Sequence, residues 1–290
     1  MLRLPRHVSA VLNGFSQIFL QAHPLCGLLI ALAIALHTPA LLAGALTGAL
    51  AGTFGAAALR RSRADIDCGL YGYNSALLGV LIVLQLGLSA FSLGLIACAA
   101  LLIDPLQTRL LAGLRERRWL PGFTLPFVLF GWLVLTLLPA PAGTLASVAP
   151  IDAQALAFAI AIGIGIGQVI FLDNPLAGLL VLVAVWLADR RAARWLLAGS
   201  AAGLGIGLLL GAAHGPILAG LAGYNPALAA LAVSQVQRSA WAPLLAIVAA
   251  VLARLAFDRL GLPPLTMPFI LACWLVALAA RRVRRQPENA

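Results

Sequence analysis

The chain has 290 residues, of which 62% are hydrophobic and 10% charged, with a net charge of +10. A soluble globular domain carries about 25% charged residues, so this composition excludes one. The apolar runs are of helical length, rich in Leu, Ala, Ile and Gly, and unlike the roughly 10-residue alternating segments of an outer-membrane barrel. Every basic residue is Arg and nearly all lie at the ends of apolar runs, the pattern of a protein oriented in a membrane and not of one bound to nucleic acid.

From the N-terminus, the chain predicts a short helix at residues 8–20 and spans near 24–38, 41–58, 71–88, 90–112 and 120–138. A second set follows, with a short helix near 153–171 and spans near 175–188, 195–213, 220–236, 241–257 and 264–280. The chain therefore divides into residues 1–145 and 146–290. Arg3 and Arg6 ahead of an apolar stretch fit a cleavable signal peptide. The same stretch returns at Gln168, where no such peptide acts, and this favours a half-membrane helix. With the N-terminus inside the cell, all arginines except Arg254 and Arg259 fall on the cytoplasmic side. That bias supports five spans per half, and an odd number inverts the second half in the membrane.

The two halves share sequence. Gln17 to Leu29 (QIFLQAHPLCGLL) is answered 151 positions later by Gln168 to Leu180 (QVIFLDNPLAGLL). Gly69 to Leu77 (GLYGYNSAL) recurs as Gly220 to Leu228 (GLAGYNPAL), and LPGFTLPF from Leu120 recurs as LPPLTMPF from Leu262. The matched residues are polar or aromatic and sit in apolar surroundings, as expected of a polar path at the interface of two related units. Pro24 and Pro175 bias the residue before them away from helix, so each short helix is expected to unwind near Gln21–His23 and Leu172–Asn174. The freed carbonyls would then face a lumen beside Gln17 and Gln168. Thr124 and Thr266, in identical TxPF settings, either bond their own helix or reach into that lumen. Tyr73 with Leu77 and Tyr224 with Leu228, spaced i, i+4, share a helix face as core packing or as flat walls.

The missing groups narrow the function. Of the acids, only Asp173 falls inside a repeated motif; the others are expected at or beyond span ends. Without paired ionisable groups in the membrane, passive conduction is favoured over pumping. The His and Cys spacings offer no metal or cofactor site, and no nucleotide-binding or catalytic motif points to an enzyme. Neutral acceptors between apolar plates suit a small, flat, uncharged solute rich in N–H donors.

The duplicated motifs resemble those of the urea transporters of bacteria and animals. Gln168, Phe171, Asn174, Pro175, Gly178 and Leu179 match the family's pore motif, as do GLYGYN at Gly69 and LPxxTxPF at Leu120 and Leu262. The resemblance implies an all-α integral membrane protein of two inverted repeats, each of five transmembrane helices plus one half-membrane helix, around a central pore. It also implies a homotrimer in the bacterial inner membrane, both termini cytoplasmic, that passes urea passively. Gln17 and Gln168, the latter beside Val169, match the outer urea sites, and Thr124 and Thr266 the constricted middle. Tyr73 and Tyr224 match aromatic walls, and Leu77 and Leu228 the leucines that narrow the slot. Leu20 replaces the aromatic plate seen at Phe171, and His23 replaces the Asn at 174, so the two mouths are expected to bind unequally. Other small amides, ammonia or water remain alternative solutes, and a proton-coupled permease is an alternative mechanism resting on Asp173. A water or glycerol channel would show paired NPA boxes and a pore arginine, for which the sequence offers HPL, NPL and no midspan Arg.

Overall fold

The computed structural model describes residues 4–138 and 154–285, and these are helical throughout, without strands. The first half contains α1 (Arg6–Gln17), α2 (Pro24–His37), α3 (Pro39–Ala58), the short α4 (Arg63–Asp67), α5 (Tyr73–Leu86), α6 (Ala90–Arg115) and α7 (Leu125–Leu137). The second contains α8 (Gln154–Gly167) with a 3-10 turn at Gln168–Ile170, then α9 (Pro175–Ala188), α10 (Arg190–Leu209), α11 (His214–Leu218), α12 (Tyr224–Val236), α13 (Trp241–Arg259) and α14 (Met267–Arg285). A helix occurs in every region expected to hold one. The five-residue helices α4 and α11 were not expected, and α10 starts at Arg190 instead of near 195 because Asp189 caps it, accepting from the Arg191 N–H at 2.7 Å.

Four helices, α3, α6, α10 and α13, are long and apolar enough to cross a membrane, and α8 and α9 pass the same test as a pair bent by 73°. Helices α2, α5 and α7 are apolar but shorter, at 14, 14 and 13 residues. Fourteen residues extend about 21 Å, less than the roughly 30 Å hydrocarbon core. Helix α5 is buried from Tyr73 to Val83, so its environment is the protein's own core.

Glycines set the closeness of the packing. A Cβ on Gly27 would stand 1.8 Å from the Leu12 carbonyl oxygen, and one on Gly178 would stand 1.8 Å from the Gly163 carbonyl oxygen. These glycines bring α2 onto α1 and α9 onto α8 at backbone contact. Helix α3 packs on α5, α10 packs on α12, and α2 meets α9 to join the halves.

Each short helix ends earlier than its proline predicts. Leu20 and Phe171 adopt φ of 57° and 60° and stop the helix in the left-handed region. The turn consumes its own carbonyls: Leu20 N–H donates to Gln17 O and Gln21 N–H to Ser16 O, while Phe171 N–H donates to Gln168 O and Leu172 N–H to Gly167 O. In the first half, Phe19 O accepts from Gln21, Leu20 O from Gln235 and Gln21 O from Ser16. In the first half side chains thus engage the carbonyls of Phe19, Leu20 and Gln21, whereas in the second half the turn's bonds use the Gly167 and Gln168 carbonyls, upstream of the break expected at Leu172–Asn174. His23 caps α2 through Nδ1, which accepts from the Cys26 N–H at 3.2 Å, as Asn174 Oδ1 accepts from the Leu176 N–H at 2.8 Å on α9.

The expectation that the acids lie at or beyond span ends needs correction for Asp104, which lies buried inside α6 and accepts from Arg61 Nε at 2.8 Å; Asp65, buried in the short α4 between the longer helices, pairs with Arg115. The bond to Asp104 raises the pKa of the Arg61 guanidinium above its ordinary value. Sequence reading missed both pairs because their partners are 43 and 50 positions apart.

Candidate functional site

Helix α7 and helix α14 each begin at a TxPF turn, and a buried asparagine holds each turn in place. Asn74 Oδ1 accepts from the Phe127 N–H at 3.2 Å and Asn225 Oδ1 from the Phe269 N–H at 3.1 Å. The Asn225 amide also donates to Leu265 O at 3.1 Å, and Asn74 Nδ2 to Gln107 Oε1 at 3.1 Å. A helix start leaves orphan N–H groups that need such partners. Each turn is strapped again from the opposite half, since Trp132 Nε1 donates to Pro263 O and Trp274 Nε1 to Pro121 O, both at 2.8 Å. So held, Thr124 Oγ1 and Thr266 Oγ1 meet in a hydrogen bond of 2.7 Å, with both side chains almost wholly buried.

Cavities open beside this contact. In the second half, a cavity of ≈ 220 Å³ is lined by Gln168, Val169, Phe171, Tyr224, Leu265 and Thr266 together with Phe127 and Arg254. Phe171 and Phe127 meet edge to face there, centroids 6.1 Å apart. Gln168 Nε2 donates to Ala219 O at 3.2 Å, which commits its amide N–H and leaves the carbonyl end as the group able to accept from a solute. In the first half, a cavity of ≈ 170 Å³ is lined by Gln17, Leu20, Tyr73, Gln107 and Phe123. A wider one of ≈ 480 Å³ shares Gln17, Leu20 and Phe123 and reaches Gln235 and Arg281.

Nine of the eleven residues singled out from sequence line these cavities or form the threonine contact. Leu77 and Leu228 are buried in the hydrophobic core and line none of the three cavities. Tyr73 and Tyr224 are walls with committed hydroxyls or faces: Tyr73 donates to Phe123 O, and the Arg254 guanidinium sits 5.8 Å from the Tyr224 ring centroid.

Four residues that the sequence reading did not single out also line these cavities. Phe123 supplies to the first-half cavities the aromatic ring that Leu20 lacks, and Leu265 stands in its place beside Phe171. Between these two pairs the positions of Phe and Leu are exchanged, and because Phe127 adds a second ring beside Phe171, Phe123 offsets the expected aromatic deficit at Leu20 only in part. All four adopt positive φ, 57° and 45° at Leu20 and Phe123, 60° and 43° at Phe171 and Leu265. Bulky residues in that region cost on the order of 1–3 kcal/mol each and cluster at functional sites. The comparison of LPGFTLPF with LPPLTMPF held the signal for the exchange. Gln107 and Arg254 are the other two: Gln107 Nε2 approaches Tyr73 Oη at 3.5 Å and Arg254 Nη1 approaches Tyr224 Oη at 3.4 Å. Arg254 was expected near the non-cytoplasmic end of its span and was not expected as a pore arginine, whereas the structure puts it in the cavity wall. Its charge is partnered by Asp258, 2.9 Å from Nε, and Nη1 donates to Leu221 O at 2.7 Å.

Asp173 lies 3.4 Å from His37, is 59% exposed and lines none of the three cavities.

Residues 8–281 match the family model for urea transporters. The chain is 29% identical to urea transporter 1 of Ovis aries over 293 aligned positions, covering 93% of this chain and 76% of that protein. Urea transporter 1 of Capra hircus gives the same figures, and that of Rattus norvegicus is 28% identical over 236 positions, covering 77% of this chain and 62% of that one. With a matching model spanning nearly its whole length, the chain belongs to the urea transporter family.

Proposed function

We propose that the protein passes urea down its gradient through a pore formed inside each protomer, running from the Gln17 side past the threonine pair to the Gln168 side. The observation that carries this reading is the Thr124–Thr266 hydrogen bond, made where residues lining the two cavities adjoin. A planar solute with several N–H donors meets a Gln acceptor and an aromatic ring on one side, then two hydroxyls, then the same chemistry again. At the middle the hydroxyls must exchange their mutual bond for bonds to the solute, whose N–H groups and carbonyl can replace both roles. That exchange is near balance, since an ordinary hydrogen bond contributes about 0.5–1.5 kcal/mol net. Conduction needs such weak, replaceable binding. The acids give no support to proton coupling: Asp104 and Asp65 are bound to arginines, and Asp173 lies apart from the three cavities.

The wider architecture belongs to the same proposal. Residues 1–145 and 146–290 form two inverted repeats, each of five spans plus a half-membrane helix, in a homotrimer of the bacterial inner membrane with both termini cytoplasmic. The recurring sequence of helix lengths, the matched left-handed residues and the reciprocal tryptophan straps support the duplication.

Urea flux into proteoliposomes, with and without a proton gradient, tests the function. Saturable uptake that ignores the gradient is expected. Folded protein without urea flux, or uptake that follows the gradient, overturns it.

A further inference from the structure

A fourth cavity, of ≈ 530 Å³, lies away from the pore, between the start of α1, the end of α3 and the start of α4. Four arginines line it, Arg6, Arg60, Arg61 and Arg63, with Thr53, Phe54 and one acid, Asp67. Arg61 is committed to Asp104. Arg6, Arg60 and Arg63 have no carboxylate within ion-pair distance among the described residues, so the lining carries a surplus of positive charge even with Asp67 ionised. Phe54, in the same lining, leaves half of its ring exposed.

Helix α3 is one of the four helices suited to cross a membrane, so its last turn lies where hydrocarbon gives way to headgroups. We propose that this cavity binds the headgroup phosphate of an anionic phospholipid. The phosphate oxygens accept from Arg6, Arg60 and Arg63, while the glycerol and acyl portion lies along Phe54. Clustered arginines at a membrane surface favour anionic lipid, and guanidinium matches phosphate geometry. A zwitterionic choline headgroup would bring its own cation against three guanidiniums.

The test is retention of lipid by the purified full chain, measured by native mass spectrometry after equilibration with equimolar phosphatidylglycerol and phosphatidylcholine. The wild type should keep the anionic lipid with a preference of about tenfold or more. Combined Arg6→Gln, Arg60→Gln and Arg63→Gln should abolish that preference, whereas a control triple at the exposed Arg190, Arg194 and Arg238 should keep it. Arg60→Gln alone should lower it partially, and it serves if the triple variant does not fold. Millimolar inorganic phosphate should leave the bound lipid in place. Equal retention of the two lipids, equal loss in both triples, or displacement by free phosphate overturns the assignment, the last by showing a site for soluble phosphate.

Discussion

Thr124 and Thr266 satisfy one another in a dry setting, so each hydroxyl depends on the other until a solute arrives. Replacing both by Val removes the groups a passing donor would use, and stranding a solute hydrogen bond costs about 1–3 kcal/mol. Thr124→Val with Thr266→Val should therefore slow urea flux about tenfold or more in stopped-flow vesicle measurements, with the fold intact because the volume is unchanged. Normal flux would make the pair structural. Arg254 acts differently, holding a positive charge in one cavity wall while Gln107 takes its place in the other. Near a protein surface a unit charge acts over several ångströms with energies of about a few kcal/mol, and Asp258 offsets part of this. Arg254→Gln should raise methylammonium permeation relative to urea by about threefold, and Arg254→Lys should not. An unchanged ratio in both would leave Arg254 as a strap for Leu221 and Tyr224. The Gln and Thr pairs were legible in the sequence because duplication marks them twice. Arg254 was not, since its partner position holds a neutral residue and helix ends cannot be located to within a turn from composition.

At the helix ends, chemistry and not length decides where chain direction changes. Proline identified the break in each half, but the left-handed Leu20 and Phe171 moved it upstream, and in the first half side chains then took up the carbonyls of Phe19, Leu20 and Gln21. Sequence cannot reveal a positive φ at Leu or Phe, because both residues ordinarily avoid it. Nor does it reveal that His23 and Asn174 perform one task, each capping the helix after its proline. The glycines three residues beyond those prolines are readable in the motif, and their reason lies in the packing. Gly178→Ala would press a methyl group into the Gly163 carbonyl, a backbone atom that cannot yield without shifting α8. Such a variant should fail to accumulate as folded protein in fluorescence-detected size exclusion, as should Gly27→Ala. Gly94→Ala, where nothing lies within 4 Å of the added carbon, should behave as wild type. Normal folding of Gly178→Ala would show that α8 and α9 have slack in their contact.

Across the molecule, the two halves are interlocked more than they are adjoined. Trp132 holds the proline turn of the second half and Trp274 that of the first, while the threonines meet between them and α2 meets α9. Each half holds its own turn through an asparagine but takes the tryptophan bond to its proline carbonyl from the other half. Residues 1–145 expressed alone should therefore not yield folded protein, whereas co-expression with 146–290 should restore a complex with urea flux; a half that folds and survives purification alone would contradict this. The sequence announced two related units and their membrane setting, yet this reciprocity was hidden, because a tryptophan in an apolar helix does not show which carbonyl it will reach.

The exchange of Phe and Leu between the cavities has a consequence for how such a chain diverges. Duplicated copies are commonly free to drift apart, but here Leu20 is matched by Phe123 in the same space, and Phe171 by Leu265. A change at one position alters the fit at a second about a hundred residues away in the same copy. The two copies can therefore lose resemblance to each other while each preserves an internal pairing, and descendants should be found to change these positions as couples.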